Sequence, residues 1–159
     1  MNGAEMMEFS SRDFALVSDR LRPFLPDRLH HPCVVRKSDV KETDFSAERG
    51  HRVCVVDLPS FSISVTVGFL KPGQTTRSHR HNYETILFIT DGCGSTQIED
   101  RVIPWSRGDA IYIPVWSYHY HSNVSMSEEC SYIACENAPL LQNLGGIALR
   151  EEADLSEGR

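Results

Sequence analysis

Four of the seven histidines in this 159-residue chain fall into two H-x-H pairs. His79 and His81 stand in "RSHRHNYETILFITDG", and His119 and His121 in "YHYHSN". Each pair lies in a run with strand-like composition. Side chains at i and i+2 of a strand point the same way, with Cα atoms roughly 6.5 Å apart. The two imidazoles of a pair can therefore converge on one ion. If both faces look into one barrel, three or four imidazoles meet at a point. Such a site suits Fe, Cu, Zn or Ni, and sometimes Mn. Three protein ligands would leave positions open for water, oxygen or substrate, as catalytic rather than structural sites do. Burying four imidazoles without an ion would be costly unless each found a hydrogen-bond partner.

Strands must position these pairs. From about residue 50 the pattern is all-β. "HRVCVVDL", "FSISVTVGFL", "ETILFIT", "GSTQIED", "RVIPW", "AIYIP", "SYHYHSN" and "CSYIACEN" are short runs rich in Val, Ile, Tyr and Phe. Pro59, Pro72-Gly73, Asp91-Gly92, Glu99-Asp100 and Gly108-Asp109 punctuate them, the signature of a sandwich or barrel. Before them, "SSRDFALVSDRLR" predicts a helix over residues 10–22. Ser10 or Ser11 caps it, Phe14, Val17 and Leu21 share one face, and Pro23 and Pro26 stop it. The expected organisation is an N-terminal helix and extended arm over 1–48, a β-barrel over 49–137 and a C-terminal tail over 138–159, with a short turn of helix and a frayed polar end. His30 and His31 are expected in a solvated loop.

Composition narrows the function classes. A net charge of −6 with no Lys/Arg cluster argues against nucleic acid as a partner. No apolar run reaches the ~20 residues of a membrane span. The acidic, mixed N-terminal stretch resembles neither a signal peptide nor a transit sequence, so a cytoplasmic location is expected. The five cysteines, Cys33, Cys54, Cys93, Cys130 and Cys135, form no C-x-x-C and are expected as reduced, buried thiols. A homodimer is expected because open sheet edges need cover.

The two histidine segments resemble the signatures of the cupin superfamily. In the first, Gly73 is followed by five residues, His79, His81 and a closing Gly92. In the second, Gly108, Pro114, His119 and Asn123 keep the family spacing, with Trp116 where Gly is common. The resemblance implies a cupin double-stranded β-helix, a jelly-roll barrel with a metal in its mouth. One departure stands out. The family's metal-binding Glu falls seven residues before the closing Gly, where this chain has Thr85, and Glu84 sits one place earlier. A one-residue shift turns a strand side chain to the other face, so Glu84 is expected outward.

Gentisate and hydroxynaphthoate dioxygenases look similar at this point, with an "HRH", a non-carboxylate at the Glu place and a later H-x-H-x-N. The resemblance implies one divalent metal ion, Fe(II) favoured, with Zn, Mn, Ni or Cu as alternatives. It makes His79, His81 and His119 the ligands and His121 a catalytic pocket residue. Those enzymes are two-cupin chains about twice this length. Strand parity places Arg77 with His79, so Arg77 is expected in the cavity, pairing with a substrate carboxylate. Asn123 shares the face of His121; Tyr118 and Tyr120 point away; Trp116 is expected to wall the mouth; Ser95 and Gln97 offer polar contacts from a neighbouring strand. The expected function is a non-haem iron dioxygenase-like oxidoreductase acting on a small phenolic or carboxylate substrate. The alternatives are a Zn or Mn cupin catalysing a non-redox step, or a ligand-binding cupin without catalysis.

Overall fold

The computed structural model describes residues 35, 40–42 and 45–153. The helix expected over 10–22, His30, His31 and Cys33 lie outside the described residues. A short helix α1 (Phe45–Arg49) leads into β1 (Arg52–Val56), β2 (Ser64–Leu70), β3 (His79–His81), β4 (Thr85–Asp91), β5 (Cys93–Ile98), β6 (Arg101–Ser106), β7 (Ala110–Ile113), β8 (His119–Asn123) and β9 (Cys130–Glu136). A helix α2 (Ala138–Asn143) and a last strand β10 (Arg150–Glu152) follow.

The strands form two five-stranded antiparallel sheets, one ordered β1-β2-β9-β4-β7 and the other β10-β3-β8-β5-β6. From β2 onward the chain passes repeatedly between the sheets, as a jelly roll requires. Alternation sets the faces. In β4, Thr85, Leu87 and Ile89 are buried while Ile86 and Phe88 are exposed. In β8, His119, His121 and Asn123 are buried. Leu70, Leu87, Ile89, Trp105, Ile111 and Ile113 belong to the apolar core between the sheets. That core fixes the inward register of β4 and β7, because a slip of one residue would expose it.

Three expectations change. Helix α1 occupies part of the expected arm. The second sheet does not end at 137: β10, read as tail, pairs with β3. Cys54 and Cys130 are buried free thiols, but Cys93 and Cys135 are exposed, since strand parity turns each outward from an otherwise apolar run. No described helix is long and apolar enough to cross a membrane.

Candidate metal centre

The two histidine pairs are neighbours in one sheet. His79 of β3 stands opposite His119 of β8 in the antiparallel register. Their rings lie 4.2 Å apart between centroids, and His119 lies 4.8 Å from His81. One ligand nitrogen from each of His79, His81 and His119 falls within 4.8 Å of the others, and all three residues are buried. They line a cavity of about 240 Å³ together with His121, His51, Thr85, Tyr132, Glu136, Arg49 and Arg150.

Hydrogen bonds sort these imidazoles by tautomer. Nδ1 of His79 donates to the carbonyl of Arg77 at 3.0 Å, Nδ1 of His81 to that of Tyr83 at 2.7 Å, and Nδ1 of His119 to that of Ser117 at 2.9 Å. A carbonyl only accepts, so each Nδ1 carries the proton and each Nε2 keeps its lone pair, that of His81 lying 3.5 Å from the Thr85 hydroxyl. A ring N–H bonded to a backbone carbonyl is how metal-ligating histidines are commonly oriented. Burial lowers the pKa of all three, to about 4 for His81 and His119. They are therefore neutral at pH 7 and fit a divalent ion as a three-nitrogen donor set. The ring of Tyr83 stacks on His81 at 4.2 Å and 3°, which holds that imidazole in plane.

His121 has the opposite arrangement. Trp105 Nε1 donates to Thr96 Oγ1 at 2.9 Å, and that hydroxyl lies 2.9 Å from His121 Nδ1. Thr96 is fully buried. All groups are satisfied when the hydroxyl accepts from Trp105 and donates to Nδ1. Nε2 of His121 then bears the proton and is a donor, not a ligand. His51 differs again: Nδ1 donates to the Arg49 carbonyl at 3.2 Å, and Nε2 accepts from Tyr132 Oη at 2.8 Å. Tyr132 reaches it because residue 68 is Gly; a Cβ there would collide with the Tyr132 ring.

Other expected site residues fall elsewhere. Arg77 does not line the cavity. Its guanidinium is exposed and donates to the Glu48 carbonyl at 3.1 Å and to Glu152 at 3.3 Å. Strand parity could not carry it inward, because β3 begins at His79 and Arg77 precedes it. Glu84 faces outward as expected, accepting from Tyr112 and Asn137, and Thr85 takes the inward place. Trp116 does not wall the mouth. It lies under the Arg80 guanidinium at 4.5 Å and holds a left-handed φ of 64°, which explains why Gly suits this position. Its N–H donates to the His81 carbonyl at 2.7 Å, tying the two histidine segments together. Asn123 is structural: its Nδ2 donates to the carbonyls of Leu70, Lys71 and Glu128. Ser95 and Gln97 were expected to supply contacts, but Thr96 between them does. Arg49, His51, Tyr132, Glu136 and Arg150 were missed. Parity within "SYIACEN" could have marked Tyr132 and Glu136; nothing in the sequence marks Arg150.

Residues 67–135 match the family model for the cupin domain. This stretch is a cupin domain. The cupin resembles 5-aminosalicylate 1,2-dioxygenase of Comamonas sp., with 28% identity over 98 residues, 61% of this chain and 25% of that one. It also resembles 1-hydroxy-2-naphthoate 1,2-dioxygenase of Nocardioides sp. (strain KP7), with 31% identity over 87 residues, 55% and 22% of the two chains. The chain thus spans about a quarter of the length of these relatives. Among solved structures it resembles salicylate 1,2-dioxygenase of Pseudaminobacter salicylatoxidans, with a TM-score of 0.58 and 22% identity over 63% of this chain and 31% of that one. That likeness bears on the jelly-roll fold.

Proposed function

We propose that this cupin is a mononuclear iron oxygenase acting on a small phenolic or carboxylate substrate, with His79, His81 and His119 holding Fe(II) through Nε2. The single observation that carries the reading is the trio of Nδ1–H donations to backbone carbonyls, which leaves three neighbouring lone pairs inside one cavity. The likeness to ring-cleaving dioxygenases supports iron over other ions. Fe(II) would supply the means to activate dioxygen beside a bound phenol. Neutral imidazole ligands leave the ion's charge uncompensated, which favours an anionic substrate. His121 presents Nε2–H to the cavity and can hydrogen-bond a substrate oxygen. A cavity of about 240 Å³ suits a one-ring substrate.

The test is reconstitution with ferrous iron under anaerobic conditions, followed by oxygen uptake with a panel of phenols and hydroxy acids. Uptake that depends on iron and on one class of substrate is expected. His79→Ala and His119→Ala are expected to lose the bound iron. His121→Gln should keep the iron and lose most of the oxygen uptake, by about 10²-fold or more. Full iron content in both alanine variants would end the reading.

A further inference from the structure

Two arginines line the cavity in positions that metal binding does not use. Arg150 of β10 stands opposite His81 in register, so its side chain shares the inner face with that imidazole. Arg49 closes α1. Both belong to the cavity wall, and in each the Nε atom is buried without a hydrogen-bond partner. A guanidinium has five N–H donors and no acceptor, and a buried charged donor left unpaired costs free energy. Arg150 gives one terminal N–H to Glu152 at 3.0 Å, and Arg77 claims the same carboxylate from outside at 3.3 Å.

The charge inside the cavity is unbalanced. Glu136 is the only carboxylate among the described lining residues. Its burial pushes its pKa up against the opposing pull of Arg49 and Arg150. Burial and the neighbouring Arg49 both push Arg150 down. Two guanidiniums close enough to repel each other therefore share a single described lining carboxylate, Glu136, inside the cavity. An anionic guest supplies the missing acceptors, and a carboxylate matches the fork of a guanidinium.

We propose that Arg49 and Arg150 form an anion subsite that holds a ligand carboxylate beside the three imidazoles. The ligand then has two anchors: its carboxylate on the guanidinium pair and a separate oxygen donor at the histidines. The class selected is a one-ring acid with a further oxygen donor. The second anchor rests on the proposed metal site; the anion subsite does not.

The test uses the full-length, metal-free protein titrated calorimetrically with benzoate and with the uncharged benzamide. Benzoate should bind, and benzamide should bind at least about tenfold more weakly. Arg49→Gln and Arg150→Gln should each weaken benzoate about tenfold or more, with Arg150→Lys between wild type and Gln because it keeps the charge but loses the fork. Zinc uptake by the same variants, unchanged from wild type, would show that the histidine cluster is still folded. Unaltered benzoate affinity in the Gln variants overturns the subsite, and so does an absence of binding at millimolar benzoate. Arginine-dependent benzoate binding in a protein that takes up no metal would uphold the subsite and remove the metal reading.

Discussion

Thr96 decides which nitrogen His121 turns toward the cavity. The hydroxyl sits between a donor that can only donate, the Trp105 indole, and a ring nitrogen that can accept. Replacing Thr96 with Val keeps the volume but leaves Trp105 Nε1–H and His121 Nδ1 buried and unpaired. Each such group costs about 1–3 kcal/mol, so urea denaturation of Thr96→Val should show a clear loss of stability. Metal content should stay at the wild-type level, because Thr96 contacts none of the three proposed ligands in a hydrogen bond. A Thr96→Val protein as stable as wild type would remove the relay from the account of His121. At this scale the sequence was legible where chemistry is tied to spacing, as in the two H-x-H pairs. It was silent on tautomers, because those depend on partners such as Thr96, which lies 25 positions from His121.

The second sheet carries the histidines, and its tolerance is set by close packing. Gly94 of β5 pairs with Asn123 of β8 on one side and Trp105 of β6 on the other. A Cβ at Gly94 would overlap the Ser122 carbonyl oxygen and the Trp105 ring. A backbone atom cannot swing away as a side chain can, so Gly94→Ala should destabilise the protein by about 1–3 kcal/mol or more. The same variant should disturb Trp105, which is read as a shift in tryptophan fluorescence of the folded state. A native-like spectrum and unfolding midpoint would contradict the packing argument. The strand runs around Gly94 were readable from alternation and turn residues. The β10 pairing was not: "REE" has no apolar alternation, and only its backbone pairing with β3 makes it a strand.

For the molecule as a whole, pH acts through imidazoles held neutral in the fold. His51 illustrates the sign. Burial lowers its pKa, while in the unfolded chain it titrates near its ordinary value of about 6.5. Between those two values the unfolded state binds the extra proton, so stability rises with pH. The contribution is complete above about pH 6.5 and is lost as pH falls through the folded value. Denaturant midpoints of the metal-free protein should therefore drop between pH 7.5 and 5.5. His51→Gln, which can still hydrogen-bond Tyr132, should show a smaller drop. Equal drops in the two proteins would exclude His51 as a source of the pH dependence.

The jelly roll and the set of three ligands were what the cupin resemblance implied. The residue pattern by itself determined the all-β sandwich-or-barrel class, the course of most strands and the two H-x-H pairs with metal-ligand spacing. Those features are local: period-two alternation, turn residues and i, i+2 geometry act over a few residues. The outward turn of Glu84 and the inward turn of Thr85 were likewise fixed by parity within one strand. Tertiary structure alone decided which strands lie side by side, and so what faces the histidines. Arg77, two residues from His79, turned out to point to solvent, whereas Arg150, far along the chain, shares its inner face with His81. The physical reason is that a cavity wall is assembled by hydrogen-bonded register between distant strands, and no short-range pattern encodes that register.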